Sequence, residues 1–317
     1  MDDPRVAIHS LVRRNLGPLK PVKAKATYVA KSMHPQEAFR ATLSDCLAQI
    51  AANAATLRVG RSVEGLHQLR VAFRRLEVAL GAFGREFKQG WLEELRGRAK
   101  ILSGRMAPAR DLDVFVARLL VERAQISGDG LEQLRARAET ARDAAWDAAL
   151  ACIASPDFEL FTDDVAGLAQ SQLPLTRERR LPRTARHMLD RQMQRVKKRG
   201  KTARSRDEGD LHRLRIALKK LRYTAEFFAP LYPKKDAKRY LKKLRDLQNH
   251  FGDLNDIANV RGVVGALMRD TGKKGAEPAA CFAAGAVTGW YGARTPRVIK
   301  QAVKRYKKFR RAAPFWH

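Results

Sequence analysis

Several features that mark common protein classes are scarce in this chain of 317 residues. The three cysteines, Cys46, Cys152 and Cys281, lie far apart, which excludes a disulfide framework and a Cys-x-x-Cys zinc site and favours a reducing compartment. The longest uncharged stretch, residues 278–293, is too short and too weakly apolar to span a bilayer. The first residues lack the apolar segment of a secretory signal, so we expect a cytoplasmic protein without membrane insertion.

Alternating strand patterns are also missing after residue 34, where apolar residues instead recur at spacings of three and four. This spacing predicts an all-α protein. Pro35, Pro108 and Pro296 suit first helical positions, and Thr295 suits a helix cap. The predicted helices are 35–57, 62–83, 88–104, 109–126, 130–153, 183–199, 208–229, 234–249, 253–270, 277–292 and 296–312.

Three segments follow from the same pattern. Residues 1–34 have no helical period and are expected to form a flexible basic arm. Residues 35–176 are predicted to form a first helical bundle, and residues 177–317 a second. The proline-containing stretch 155–182 is expected to cross between the bundles, with room for one short helix.

Acidic residues are few: 33 Asp and Glu stand against 63 Lys and Arg, which leaves a net charge of +30. Residues 35–176 hold 18 basic and 19 acidic side chains, whereas residues 177–317 hold 38 basic and 12 acidic ones. Self-repulsion of this size costs stability unless a polyanion offsets it. The second bundle is therefore predicted to be the main polyanion-binding body.

An internal repeat links the two halves. Residues 66–76 have the sequence LHQLRVAFRRL, and residues 211–221 have the sequence LHRLRIALKKL, 145 positions later. A shorter pair, 91–96 with 240–245, follows at an offset of 149. The unequal offsets predict a duplicated helical bundle whose helices differ in length between the copies.

Each copy of the repeat places basic side chains beside an apolar stripe when it is drawn as a helix of about 100° per residue. Like charges three or four positions apart on a helix repel by a few tenths of a kcal/mol. A column of such basic residues along one helix face, present in both copies, therefore indicates an anionic partner that offsets the repulsion. A solvated face of Lys and Arg is the alternative. The first column is His67, Arg70 and Arg74, with Glu77 as its next member, and the second is His212, Arg215, Lys219 and Arg222.

The last predicted helix has the same arrangement without any acid. A basic C-terminal tail with no defined partner is the alternative interpretation there. Its column consists of Arg297, Lys300, Lys304, Lys307 and Arg311.

The two motif histidines, His67 and His212, are not surrounded by an HExxH or Cys/His cluster, so no metal and no cofactor are predicted. A neutral imidazole can donate one hydrogen bond to a phosphate oxygen, and a protonated one adds charge. The alternative is a structural histidine bonded to a carboxylate of a neighbouring helix. The candidate carboxylates are Asp111, Asp113, Asp253 and Asp256.

Taken together, these motifs resemble the CHAD family, the conserved histidine α-helical domain. The resemblance rests on the duplicated repeat, on the Leu-Arg-Tyr of residues 221–223, on ARDLD at 109–113 and on LQNHFGDLND at 247–256. It extends over about residues 35–312. A triphosphate-tunnel (CYTH) domain, often fused ahead of CHAD, is not expected, because 34 residues cannot hold it.

The resemblance implies an all-α fold of two four-helix-type bundles, related by pseudo-twofold symmetry, with a basic channel between them. It also implies non-catalytic binding of inorganic polyphosphate, with the last helix as an extension of the site. The contacts that it implies are His67, Arg70, Arg74, Arg75, His212, Arg215, Lys219, Lys220 and Arg222.

Two other functions compete with this one. Nucleic-acid binders interleave aromatics with the charge so that bases can stack, and Tyr223 is the aromatic nearest the second column. A phosphotransfer enzyme would need metal-binding carboxylates or a GxxxxGK[ST] loop, and the loop is absent, so no catalytic residue is predicted. Storage-granule association, scaffolding and phosphate signalling stay open as biological tasks, as does the oligomeric state.

Overall fold

The computed structural model describes residues 20–87, 90–120, 129–173, 180–269 and 277–317. This part of the chain is all-α, with ten α-helices and no β-strand, as the spacing of its apolar residues predicts. None of these helices combines the length and apolarity needed to cross a bilayer. The helices are α1 (Pro35–Val59), α2 (Val63–Phe83), α3 (Trp91–Arg105), α4 (Ala107–Val114), α5 (Asp129–Ile153), α6 (Pro156–Gln170), α7 (Leu181–Thr202), α8 (Glu208–Phe228), α9 (Lys234–Arg269) and α10 (Pro278–Phe309).

Two predicted helix breaks are wrong because the helices continue through them. Helix α9 passes through Gly252, which lowers helix propensity but does not end a helix that is packed along its length. Helix α10 passes through Pro296, which removes only one backbone hydrogen bond. Thr295 does not cap a new helix there, since its hydroxyl donates to the carbonyl of Tyr291 at 3.1 Å.

The middle of the chain also differs from the predicted pattern. The predicted helix 109–126 is divided, because α4 gives way to a π-helical turn at Phe115–Leu120, and residues 121–128 lie outside the described residues. The stretch 155–182, for which one short helix is expected, holds the 15-residue helix α6. Ser155 caps that helix by accepting a hydrogen bond from the backbone N–H of Phe158 at 3.3 Å.

The helices form two compact units. The chain passes from one unit to the other after Thr176, and residues 111–144 belong to the second unit. Unit 1 comprises the described residues of Met1–Lys25, Phe39–Arg110 and Ala145–Thr176, and unit 2 comprises those of Ala26–Ala38, Asp111–Ala144 and Arg177–His317.

Each unit has its own apolar core. In unit 1, Phe39 stacks on Phe83 with ring centroids 5.0 Å apart, and Phe73 stacks on Phe161 at 5.5 Å. In unit 2, the start of α5 packs with α9 and α10, which explains why residues 111–144 belong there. That core contains Phe115, Leu134, Ala138, Ile257, Val260, Val264, Val287 and Tyr291.

Part of the predicted flexible arm is docked on unit 1. The backbone N–H of Val22 donates to Oδ1 of Asn53 at 3.0 Å, and Nδ2 of Asn53 donates to the Val22 carbonyl at 2.9 Å. The Lys25 carbonyl accepts a further hydrogen bond from Arg75 at 3.4 Å. The segment around Val22 is therefore anchored, and residues 1–19 lie outside the described residues.

Replacing Asn53 with alanine should release this segment. Asn53 is fully buried, and a buried polar group that loses its partner costs about 1–3 kcal/mol. We expect faster trypsin cleavage after Lys23 and Lys25, together with faster backbone amide exchange there. Asn249→Ala, at an exposed position of α9, is the control and should change neither. Equal cleavage rates in the two variants would contradict the anchoring role.

Aromatic packing fixes the C-terminal end of the chain within unit 2. The Tyr240 ring lies 5.4 Å from that of Phe309 and 5.2 Å from that of Trp316. The indole N–H of Trp316 donates to Oδ1 of Asp190 on α7 at 2.9 Å. The end of α10 is therefore held against α7 and α9, and it is not a free basic tail.

Candidate polyanion-binding site

Helix α8 carries the second copy of the repeat, and acidic residues define its start. The Asp207 carboxylate caps the helix by accepting a hydrogen bond from the backbone N–H of Asp210 at 2.9 Å. Arg213 donates to the Asp210 carboxylate at 2.7 Å, and this hydrogen bond lowers the pKa of Asp210. Arg213 thus belongs to the helix start rather than to the basic column.

The apolar face of α8 is buried, as the helical wheel predicts. Gln248 of α9 donates to the Leu218 carbonyl at 2.7 Å and ties the two helices together. Burial of this face fixes the rotation of α8 and hence the direction of its basic residues. The buried stripe comprises Leu211, Leu214, Leu218, Leu221 and Ala225.

The predicted basic column follows the neighbouring face of α8. His212 is exposed, whereas Arg215, Lys219 and Arg222 are half-buried. Their spacing places successive Cβ atoms about 5–6 Å apart. Although part of its surface is exposed, the His212 ring is partly desolvated by its neighbours, which lowers its pKa from the ordinary value, and the positive charges of Arg215 and Lys219 lower the pKa further. Desolvation and the neighbouring cations thus act in the same direction on this histidine.

The far end of the column is packed against an aromatic ring. The Arg222 guanidinium lies 4.6 Å from the centroid of Tyr223, and its Nε lies 3.9 Å from the carboxylate of Glu226. Tyr223 itself is only 2% exposed. The aromatic nearest the column is therefore covered and presents no face on which a base could stack.

The LQNHFGDLND motif lies in α9 beside the start of the column. Phe251 and Asn255 line a small cleft of about 40 Å³ together with His212 and Arg215 of α8. Phe251 is buried. The motif thus supports the basic face of α8 by packing rather than by adding charge.

In unit 1, the first copy of the repeat lies on α2. Ser62 caps this helix by accepting a hydrogen bond from the backbone N–H of Gly65 at 3.0 Å. The predicted column, His67, Arg70 and Arg74, is half-buried along one face. Burial lowers the pKa of His67, and nearby positive charges add to the shift.

One cation near His67 is missing from the sequence prediction. The charge of Arg110, on α4, lowers the pKa of His67 more than Arg74 or Arg70 does. Arg70 also donates to the backbone carbonyl of Ser103 on α3. Periodicity identifies neighbours on one helix, so the only available signal for Arg110 is its place in the ARDLD motif.

Neither motif histidine is bonded to a carboxylate among the described residues. His67 and His212 make no hydrogen bond or ion pair with Asp or Glu there. Asp111 instead accepts a hydrogen bond from Asn259 at 3.4 Å, and Asp113 is buried. The predicted alternative, a histidine held by a neighbouring carboxylate, is therefore not found.

Two other predicted contacts lie away from the columns. Arg75 is 3% exposed, and it donates to Oε1 of Gln49 at 2.7 Å inside unit 1. Its assignment as a surface contact is corrected, because the guanidinium serves the packing of this unit. Lys220 is exposed, but it follows Lys219 directly and so points about 100° away around the helix.

The five predicted basic residues of the last helix are all exposed, and they separate into two groups. Lys307 and Arg311 line a pocket near the end of α10, which Arg206 and Arg310 also line. The remaining three lie outside it: Arg297, Lys300 and Lys304.

The profile of the CHAD domain matches residues 41–264 of the sequence. The chain belongs to the CHAD domain family. The crystal structure of the CHAD domain from the plant Ricinus communis is similar to this CHAD chain with a TM-score of 0.80 and 26% identity, over 93% of this chain and 98% of the other.

A second solved structure has the same fold. PptA from Streptomyces chartreusis is similar with a TM-score of 0.65 and 19% identity, over 87% of this chain and 99% of the other. No curated protein matches the sequence. The CHAD fold is thus established by the family and by structure, while the internal duplication and the basic channel stay predictions.

Proposed function

We propose that this CHAD protein binds inorganic polyphosphate through the basic faces of α8 and α2, and that it does not catalyse a reaction on the bound chain. The α8 column carries the proposal. His212, Arg215 and Lys219 lie along one helix, and partial burial together with the positive charges of Arg215 and Lys219 lowers the pKa of the imidazole. A linear polyanion relieves the repulsion among these charges along its length.

Unit 1 offers a second, smaller set of the same kind. Burial lowers the pKa of His67, and the positive charges of Arg110, Arg74 and Arg70 lower it further. This set draws on α2 and α4, so it is a cluster rather than a row. Each unit therefore supplies its own cations to a phosphate chain.

The surroundings of the α8 column favour a phosphate polymer over nucleic acid. Single-strand binders stack bases on exposed aromatic rings, but Tyr223 is buried and its face is occupied by Arg222. The column therefore presents positive charge but no exposed aromatic ring on which a base could stack. Nucleic acid remains the competitor to be tested.

A titration of the protein with long-chain polyphosphate at several salt concentrations tests the proposal. We expect binding that weakens steeply with salt, because each neutralised phosphate releases a counterion. RNA and DNA, added at equal phosphate concentration, should displace polyphosphate poorly. No binding at moderate salt would overturn the proposal, and efficient displacement would favour nucleic acid.

The non-catalytic part of the proposal has a separate test. Incubation with polyphosphate and magnesium or manganese should release no phosphate above the protein-free control. Sustained phosphate release that disappears in an Arg215→Gln variant would instead indicate an enzyme. Association with polyphosphate granules in the cytoplasm is one candidate setting for this binding. A tagged protein should then co-localise with the granules, and failure to do so would exclude that setting.

Polyphosphate binding should tighten as the pH falls. The pKa of His67 and that of His212 lie below 6.5 in the free protein, and a bound polyanion favours the protonated imidazole. Binding therefore takes up protons, and affinity rises from about pH 8 to about pH 5.5. The variant His67→Gln/His212→Gln should have a flatter profile. Identical profiles for the two proteins would exclude the histidines from the contact.

A further inference from the structure

A pocket near the C-terminal end of α10 gathers four cations within unit 2. Its volume is about 310 Å³, and Arg206, Lys307, Arg310 and Arg311 line it. Its remaining lining is apolar or backbone, except for the Tyr306 hydroxyl. No acidic residue lines the pocket, and among the described residues none of the four side chains is paired with a carboxylate.

The fold brings these cations together by a close approach of α7 and α10. Gly200 lies where the Tyr306 ring meets α7, and the space that a Cβ would occupy is filled by the phenol. The Tyr306 hydroxyl donates to the Val196 carbonyl at 3.2 Å. This contact holds the last turn of α10, with its basic residues, beside the end of α7.

Arg206 enters the pocket from a strained turn. Its φ of 63° and ψ of 15° lie in the left-handed region, and it is the one non-glycine residue with positive φ in the described residues. A β-carbon makes that conformation unfavourable, and such strain is typical of positions where function selects the side chain. A glycine would adopt this backbone conformation at lower cost, so the presence of arginine points to a role for its side chain.

Stabilisation of helix ends is the simplest alternative explanation for these cations. Basic residues near a helix C-terminus do favour the helix dipole. However, the backbone N–H groups of Arg310, Arg311 and Ala312 donate to the carbonyls of Tyr306, Lys308 and Phe309 at 2.9, 3.2 and 2.9 Å, so these terminal carbonyls already have partners. Arg206 is not part of α10, and the dipole does not account for a concave surface lined by four cations.

We infer that this pocket binds a compact anion of two or three phosphoryl groups, either a free oligophosphate or the end of a polyphosphate chain. A volume near 310 Å³ suits a small ligand rather than a passing polymer. Four cations match the charge of such an anion, and guanidinium groups bind phosphate oxygens in pairs. The Tyr306 ring is buried, so no aromatic face is offered to a nucleobase.

The pocket is separate from the α8 column. Leu214 is the residue of α8 that lines it, and Leu214 belongs to the buried stripe rather than to the basic face. The cleft beside the column is lined by His212 and Arg215 and shares no lining residue with the pocket. Small phosphate anions can thus bind whether or not the column binds a polymer.

Calorimetric titration of the full chain with tripolyphosphate tests the inference. Lys307→Gln/Arg311→Gln should weaken tripolyphosphate binding by about tenfold or more, since it removes two charge-assisted contacts. The matched control, Arg305→Gln/Lys308→Gln, removes the same charge from exposed positions of the same helix that do not line the pocket. It should bind as the wild type does, and so should Arg215→Gln/Lys219→Gln.

A second variant distinguishes loss of a binding contact from loss of stability. Arg206→Gly removes the cation but relieves the backbone strain, so its melting temperature should stay equal or rise while tripolyphosphate affinity falls. Equal losses in the pocket and control variants would indicate diffuse charge and overturn the inference. If only Arg215→Gln/Lys219→Gln loses tripolyphosphate affinity, the anion binds at the α8 column, and the inference is overturned as well.

The affinities of the same variants for short and long polyphosphates distinguish a chain end from a free oligophosphate as the ligand of the pocket. If the pocket holds chain ends, Lys307→Gln/Arg311→Gln should weaken short polyphosphates more than very long ones at equal phosphate concentration. If it holds free oligophosphates, the affinity for long chains should not change. Failure of long-chain binding in the wild type would contradict the proposed function while leaving tripolyphosphate binding at the pocket to be judged by its own titration.

Discussion

Replacing Arg215 and Lys219 together with glutamine should weaken long-chain polyphosphate binding by about a hundredfold or more, because hydrogen bonds to charged groups contribute about 1.5–3 kcal/mol each and about 1.4 kcal/mol corresponds to a factor of ten. Both residues lie in the α8 column beside His212. Removing them also relieves the repulsion that disfavours the protonated histidine. The folded structure should persist, since neither residue belongs to the buried stripe of α8.

The salt dependence separates a contact from a general loss of charge. Two fewer neutralised phosphates should reduce the slope of log K against log salt by about 1.4 for a single-stranded polyanion. Lys242→Gln/Lys243→Gln removes two exposed cations from α9 and is the control. If both variants lose the same affinity and slope, the column is not a site. Unfolding of the column variant alone, measured by circular dichroism, would assign Arg215 and Lys219 to the fold.

Replacing Gly200 with alanine should destabilise the protein by about 1–3 kcal/mol, the usual cost of overpacking a filled interior. The new methyl group would overlap the Tyr306 ring. Tyr306 is buried, and its hydroxyl is bonded to the Val196 carbonyl, so the ring cannot turn away without losing that bond. Helices α7 and α10 must then separate, and the urea midpoint should fall.

The same substitution at Gly262 should have the opposite sign. A Cβ at Gly262, in α9, meets no atom within 4 Å, so alanine should stabilise the helix by about 0.5–1 kcal/mol. Gly200 would gain the same helix propensity, so the difference between the two variants measures the clash itself. Equal changes in stability would mean that α7 and α10 do not meet at Gly200.

Local patterns on one helix are what the sequence predicts well. The repeat predicts the buried stripe of α8, because the face of a helix that packs is set by a period of 3.6 residues within one element. The place of His212 next to Arg215 and Lys219 follows from the same period. The first helix begins at Pro35 as predicted, and α2 begins at Val63, one residue after its predicted start, with Ser62 as its cap, since helix starts depend on a few consecutive residues.

Helix ends inside long elements are less predictable. Gly252 and Pro296 weaken a helix locally, but packing along the rest of α9 and α10 outweighs that cost. The division of the chain is equally non-local. Residues 111–144 join unit 2 because Phe115 and Leu134 find their apolar neighbours on α9 and α10.

By itself, then, the sequence determined an all-α chain, two basic columns beside apolar stripes, and the concentration of positive charge in its second half. Only the tertiary structure decided which basic side chains are buried and which lie at the surface. Arg75 is buried against Gln49, whereas Arg74 is half-buried on the same helix face as His67. Arg206 and Lys307, which are 101 positions apart in the chain, line the same pocket. The physical reason is that the environment of a charged side chain depends on its neighbours in space. Many of those neighbours lie on other helices, and the helical period relates only residues of the same helix.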